Sequence, residues 1–225
     1  MTDTTPFVHL HVHTEKSLLD GASRVTDIVR AAKEAGQPAV AITDHGVLYG
    51  ALEMYKAAKE MGVKPILGCE MYVANGSRFE KPIGNGTSSD DPEGTERSRG
   101  YAHLIVLAKN ATGWENLIKL ASAASLEGFY RKPRIDHELL AQYHEGLIVL
   151  SGCLGGEIAQ AIMHGDMDEA ERTARFYKEI FQDDYFFEIQ NHGIPEETIV
   201  RAELAKLSKK LNIQETVPPF LPVLK

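Results

Sequence analysis

A short apolar segment followed by an amphipathic one recurs along almost the whole chain, and this alternation leaves few architectures open. Strands are predicted over residues 7–13, 39–43, 65–73, 102–108, 147–150 and 185–190. Helices are predicted over residues 25–35, 47–61, 112–125, 136–143, 156–164, 168–181 and 195–211. Strands that alternate with helices form parallel sheets with right-handed crossovers, and a long uninterrupted run of such units favours a barrel over an open sheet. We therefore expect an α/β fold of the barrel type.

Two segments interrupt the alternation. Residues 75–100 are rich in Gly, Ser, Asp and Pro, which predicts a long, mobile surface insertion rather than a domain boundary. Residues 214–225 contain three prolines, so this segment cannot pair as a central strand. We expect one domain over residues 1–213, an atypical Pro-rich tail over residues 214–225, and a barrel that lacks its last strand.

Composition narrows the class of protein. Hydrophobic residues make up 43% of the 225 residues and charged residues 25%, which excludes a disordered chain. The two cysteines lie far apart and give no disulfide framework, so a reducing compartment is expected. No apolar stretch approaches the roughly 18 residues of a membrane span, and we predict a cytoplasmic protein with no membrane partner. The net charge of −8 argues against a broad basic footprint for nucleic acid but suits a chain that concentrates cations.

The first predicted strand carries a histidine at every second position, as His9, His11 and His13. Side chains alternate between the two faces of a strand, so the three imidazoles share one face, where metal binding would satisfy their nitrogens. Ligands of α/β barrels collect at the carboxyl ends of strands, which favours His11 and His13 as metal ligands. His9 lies deeper, and packing or support of a ligand is the alternative for it.

Later strands also carry residues of metal-binding type: His45 closes the second strand, Glu70 closes the third, and Cys153 follows the fifth. Two further candidates have an ordinary alternative. Asp20 precedes a glycine, as a turn-forming residue does, and His103 lies among aliphatic residues of the fourth strand, as a core histidine does.

Five short motifs follow one another along the chain, at residues 11–14 with 17–21, 42–46, 68–73, 101–103 and 151–153. Together they resemble the motifs of the PHP (polymerase and histidinol phosphatase) family, and the similarity extends from about residue 6 to residue 212. Within that family, residues 7–21, 68–73, 127–129 and 184–193 are most similar to the N-terminal domain of bacterial DNA polymerase III alpha subunits.

The resemblance implies a distorted (β/α)7 barrel, similar to a TIM barrel, that holds two to three divalent metal ions. It assigns ligands by motif: His11, His13, Asp20, His45, Glu70, His103 and Cys153. Cys153 stands where other PHP proteins carry His, a substitution typical of polymerase-associated members. The family's last two ligands, an Asp-x-His near the end of the seventh strand, would follow Ile213, but residues 214–225 contain neither Asp nor His.

Imidazole, carboxylate and thiolate ligands fit Zn²⁺ first and Mn²⁺ second, and clustered ions of this kind hydrolyse phosphoesters. Glu70 is the expected bridging ligand and, with Asp44, a candidate catalytic residue. Asp44 would orient a neighbouring ligand or accept a proton, unless it caps the following helix. His192, beside Gly193, would contact a substrate phosphate or serve a turn.

For a polymerase-associated member, the resemblance implies 3′–5′ exonuclease proofreading at a DNA primer 3′ end. The partners would be the remaining domains of the polymerase alpha subunit, which carry the nucleotidyltransferase activity, and other replisome subunits. Two alternatives stay open. One is a stand-alone PHP phosphoesterase acting on a small phosphomonoester, and the other is a structural, partner-binding module without catalysis.

Overall fold

The computed structural model describes residues 7–18, 20–81 and 100–216. The helices within these ranges are α1 (Val25–Glu34), α2 (Ala51–Met61), α3 (Ala111–Leu126), α4 (His137–Gln142), α5 (Glu157–Met163), α6 (Met167–Phe181) and α7 (Pro195–Leu211). The strands are β1 (Ala39–Ile42), β2 (Lys64–Ala74), β3 (Tyr101–Ala108), β4 (Arg134–Ile135), β5 (Leu147–Leu150), β6 (Tyr185–Glu188) and β7 (Gln214–Thr216). Every predicted helix is present, although α2 begins at Ala51 rather than at the predicted Val47.

The strands form one curled sheet in the order β1-β2-β3-β5-β6-β7, with β4 paired to the end of β2. β1 and β2, β5 and β6, and β6 and β7 pair in parallel, whereas β3 runs antiparallel to both of its neighbours. The predicted α/β, TIM-like class is confirmed, but the prediction of a purely parallel sheet is wrong. Apolar periodicity identifies a strand without fixing its direction, and antiparallel neighbours need no helical crossover between them.

The segment of residues 7–13 is not a regular strand, contrary to the prediction. It runs beside β1 and joins it through a parallel bridge between His9 and Val40 and a bond from the Thr43 N–H to the Val12 carbonyl (2.9 Å). The ladder is interrupted because the Val12 N–H donates to the Thr43 hydroxyl at 2.8 Å instead of to a backbone carbonyl. This segment, called the N-terminal segment below, still occupies the place of a first strand.

A short strand lies at the other edge of the sheet, at the start of the segment that was predicted not to pair as a central strand. β7 pairs in parallel with β6, with Gln214 opposite Phe186. Its residues precede the first proline of the tail, Pro218, and therefore keep the N–H groups that a ladder requires. Residues 217–225 lie outside the described ranges, as do residues 82–99 of the predicted insertion.

Apolar side chains pack on both faces of the sheet. Helices α3, α5, α6 and α7 cover one large cluster, and α1 and α2 cover a second one against β1. A smaller cluster includes Ile105 and Leu107 of β3. His103 projects from the same face of β3, because residues two positions apart in a strand share a face. The inner face is therefore apolar at one end and carries imidazole at the other. No helix in the described ranges is long and apolar enough to cross a bilayer.

Candidate metal centre

A buried carboxylate, Glu70 in the middle of β2, lies at the centre of the polar end of the curl and is only 1% exposed. Its Oε2 atom is 3.1 Å from His11 Nε2 and 2.9 Å from His13 Nε2. The two imidazole nitrogens are 3.0 Å apart. Three donor atoms from two distant segments thus converge within bonding distance of one small cation.

A second group of candidate ligands lies in the loop after β1 and in the loop after the N-terminal segment. His45 follows β1, and its Nδ1 atom lies 3.3 Å from Glu70 Oε2, while its Nε2 atom lies 2.8 Å from Asp20 Oδ2. The Nδ1 atom is buried and has no hydrogen-bond partner among the described residues. A buried ring nitrogen that has no hydrogen-bond partner and faces a carboxylate fits the position of a metal ligand.

A third group lies on the other oxygen of Glu70. His103 Nδ1 is 3.0 Å from Glu70 Oε1, and Cys153 Sγ is 3.6 Å from both of these atoms. His103 reaches the carboxyl-end edge of the neighbouring strands because β3 is antiparallel and His103 is close to its beginning. The core-histidine alternative for His103 therefore does not describe its surroundings.

The candidate ligands form three overlapping groups in which the donor atoms lie within 4.8 Å of one another: His11, His13 and Glu70; His13, Asp20 and His45; and His45, Glu70 and His103. Cys153 extends the last group. Four imidazoles, two carboxylates and one thiol form a borderline donor set that fits Zn²⁺ or Mn²⁺. The residues present thus fit two to three clustered divalent ions.

The electrostatics of the centre follow from burial and close pairing. Burial raises the pKa of Glu70, but the nearby imidazoles, His11 first, outweigh it and hold that pKa well below its usual value. Burial lowers the pKa of His11, but the carboxylates of Glu188 and Glu70 outweigh it and raise that pKa well above its usual value. Burial lowers the pKa of His45. The carboxylate of Glu70 therefore stays ionised, as a metal ligand must.

Asp44 contacts Thr14, which follows His13, rather than the donor groups themselves. Its Oδ1 atom accepts a bond from the Thr14 N–H at 2.6 Å, and its Oδ2 atom accepts one from the Thr14 hydroxyl at 2.9 Å. Asp44 is 1% exposed, and burial raises its pKa. It does not cap α2, whose N-cap residue is Gly50. Ser17 links His13 to His45, since its hydroxyl lies 3.1 Å from His13 Nδ1 and accepts a bond from the His45 N–H.

Sequence reasoning missed a buried carboxylate, Glu188, at the end of β6. Its Oε1 atom is 2.7 Å from His11 Nδ1 and also accepts a bond from the Gln190 side-chain amide at 2.6 Å. Its own N–H donates to the Ser151 hydroxyl at 2.9 Å. The available signal was a glutamate within the second half of a predicted apolar strand, as Glu70 also is.

The sequence candidates His9 and His192 have other partners than the three donor groups. His9 is buried and packs edge-to-face against Phe7, with ring centroids 5.1 Å apart. His192 Nδ1 is 2.6 Å from Glu197 Oε1, and the His192 N–H also donates to that carboxylate. This pairing, next to Gly193 at φ 80°, fits the turn role that the sequence left open for His192.

Comparison with known proteins bears on this geometry. Residues 9–192 match the family model described as the PHP domain. The chain is 49% identical over 209 residues to a DNA polymerase III subunit alpha of Thermus aquaticus and 50% identical over 208 residues to that of Treponema pallidum (strain Nichols). Each match covers 92% of this chain but only 16% and 17% of the respective relative, so the chain spans about one sixth of their length. Among solved structures, the fold is similar to an amidohydrolase from Chromobacterium violaceum with bound sulfate and no metal, with a TM-score of 0.55 at 13% identity, over 94% of this chain and 86% of that one.

Proposed function

The chain belongs to the PHP domain family, and from this premise we propose that it is the PHP domain of a bacterial replicative DNA polymerase III alpha subunit that hydrolyses phosphodiester bonds with clustered divalent metal ions. The proposed activity is a 3′–5′ exonuclease that removes nucleotides from a DNA primer 3′ end during replication. The observation that carries this proposal is the cluster of three overlapping donor groups, two of which contain Glu70.

The relatives support the assignment to a polymerase. Their identity of 49–50% extends over nearly the whole chain, and they are named as polymerase alpha subunits. They are also much longer than this chain, so the primer end, the remaining polymerase domains and other replisome subunits are its proposed partners. A net charge of −8 fits this dependence, because an acidic domain holds DNA weakly unless basic domains deliver it.

The proposed metal ions are two to three, with zinc preferred and manganese second. When bound, such ions supply Lewis acidity that activates water and neutralises charge on a phosphodiester. Glu70 would be the bridging ligand, since one of its oxygens faces His11, His13 and His45 while the other faces His103 and Cys153. Asp20, at the exposed rim, completes the group nearest to solvent.

Asp44 acts by orientation in this proposal. Both of its carboxylate oxygens are engaged by Thr14, and its backbone carbonyl accepts the Glu70 N–H at 3.2 Å. It therefore fixes the loop that carries Asp20 and the strand that carries Glu70 relative to each other. A proton-accepting role would use the lone pairs that Thr14 leaves free on these oxygens.

A structural module without catalysis is the second candidate. Residues 214–225 contain neither the Asp nor the His of the family's final ligand pair. In this case the cluster would bind metal and stabilise the domain without turning over DNA.

The test combines metal content with two substrates. Elemental analysis of the purified chain should find two to three zinc or manganese ions, lost in a His11→Ala/His13→Ala variant. A 5′-labelled primer should be shortened by the chain, while p-nitrophenyl phosphate tests the small-phosphomonoester alternative. His144→Ala is the matched control, because His144 is exposed and its Nδ1 atom lies 2.7 Å from a backbone carbonyl of α4, away from the donor groups.

The outcomes separate the candidates. Primer shortening that persists in His144→Ala and disappears in His13→Ala supports the exonuclease. Equal trace cleavage by the chain and by His13→Ala would contradict it and reveal a contaminating nuclease. Bound metal without turnover of either substrate would establish the structural module instead.

A further inference from the structure

Glu188 is placed where it controls one ligand without belonging to the three donor groups. Its side chain is fully buried, and its Oε1 atom lies 2.7 Å from His11 Nδ1. His11 turns its other nitrogen, Nε2, toward Glu70 and His13, at 3.1 and 3.0 Å. The two ring nitrogens of His11 therefore have separate partners on opposite sides.

Both ring nitrogens of His11 face a carboxylate, but Glu70 belongs to the donor groups and Glu188 does not. When the lone pair of Nε2 binds an ion, the proton of the neutral ring lies on Nδ1 and is donated to Glu188, since a carboxylate can only accept. A histidine that binds a metal usually donates its second nitrogen to such a partner, which fixes the ring and makes it a stronger donor.

The position of Glu188 is itself held from several directions. Its N–H donates to the Ser151 hydroxyl, and the Gln190 amide donates to Oε1 at 2.6 Å, on the same atom that faces His11. The remaining oxygen, Oε2, is buried and has no hydrogen-bond partner among the described residues. A buried carboxylate with an unsatisfied oxygen costs free energy, and stability alone does not account for such a group.

We infer that Glu188 is a positioning residue of the metal centre, which locks His11 as an Nε2 ligand and raises the affinity of the ion that His11 binds. The inference rests on the proposed metal centre and assigns to Glu188 no contact with metal or substrate. It concerns binding, so it is tested without reference to nuclease activity.

The test is a titration of the metal-free chain with Co²⁺, followed by its visible absorption and by competition with a chelator. Glu188→Gln keeps the size of the side chain and removes the charge. We expect it to bind the ion at the His11 site about tenfold or more weakly, the lower end of what outer partners of ligands contribute. Glu197→Gln is the matched control, because Glu197 is also a buried glutamate that lies 2.6 Å from a histidine Nδ1, outside the cluster. It should bind Co²⁺ as the unmodified chain does.

A second measurement does not depend on how well the variant folds. In the unmodified chain loaded with Zn²⁺, ¹⁵N spectra of the imidazole rings should show His11 protonated at Nδ1 and metal-bound at Nε2. The opposite assignment would overturn the inference.

Equal Co²⁺ affinity of Glu188→Gln and the unmodified chain would also overturn it, as would an equal loss in both glutamate variants. Failure of the unmodified chain to bind Co²⁺ would refute the proposed metal centre together with this inference, whereas normal binding that is insensitive to Glu188 would refute the inference alone.

Discussion

Replacing Asp44 by Ala should destabilise the fold by about 3 kcal/mol even without metal. The change removes two buried bonds to Thr14, and bonds to a charged acceptor contribute about 1.5–3 kcal/mol each, which gives about 3–6 kcal/mol in total. Burial raises the pKa of Asp44, which means that ionising this buried carboxylate carries a desolvation cost that the alanine variant no longer has. The expected loss therefore lies at the lower end of the range.

The assay is urea unfolding in EDTA at pH 7, followed by far-ultraviolet circular dichroism, so that bound metal contributes nothing. Thr14→Val removes one of the two bonds and should cost about 1.5–3 kcal/mol. The double variant should lose less than the sum of the single losses, because the shared bond can be lost only once. Asp27→Ala, which breaks an exposed pair with Arg30, is the control and should cost less than about 1 kcal/mol. An Asp44→Ala loss as small as that of the control, or strictly additive losses, would refute the bracing role.

Three further outcomes are expected. A Cβ atom at Gly21 would lie 1.7 Å from the Thr14 carbonyl oxygen. Gly21→Ala should therefore displace the loop after the N-terminal segment and lower the metal content without changing the helix content. Full metal content by elemental analysis would contradict this. Cys153→His should retain bound metal and Cys153→Ala should lose part of it, since only the former keeps a donor, and equal metal content in the two variants would argue against ligation. Burial lowers the pKa of His137, but its bond to Glu157 outweighs this and raises the pKa above 6.5, so its contribution to stability is present below about pH 6.5 and lost as pH rises through the folded-state pKa. His137→Gln should therefore lower the urea midpoint more at pH 5 than at pH 9, and an equal decrease at both would show that this bond does not drive the shift.

The sequence predicted the elements well because their signals are local. Apolar periodicity and the proline at the first position of α7 are properties of adjacent residues, and α7 has the predicted limits of Pro195 and Leu211. The direction of β3 has no local sequence signal. The same is true of the bond that the Val12 N–H donates to the Thr43 hydroxyl instead of to a backbone carbonyl. Both depend on which strands become neighbours, which periodicity does not encode.

The candidate site also contains residues that the sequence predicted and one that it did not. His11, His13 and His45 were predicted from their place in strand patterns and family motifs, and the structure brings them together around Glu70. Glu188 could not be found this way, because its role is defined by a partner 177 positions earlier in the chain. A glutamate after an apolar strand is common, and only the curl of the sheet makes this one face an imidazole.

The separation of 177 residues between His11 and Glu188 also determines how long the nascent chain contains His11 before Glu188 is synthesised. Ribosomes add roughly 5–20 residues per second, so His11 leaves the peptidyl transferase centre roughly 9–35 s before its carboxylate partner is made. During this interval the nascent chain already carries the imidazoles of the first third but not the strand that carries Glu188. The carboxylate proposed to orient His11 therefore joins the proposed metal centre only after synthesis of β6, and His11 would reach its full proposed affinity for a cation only then.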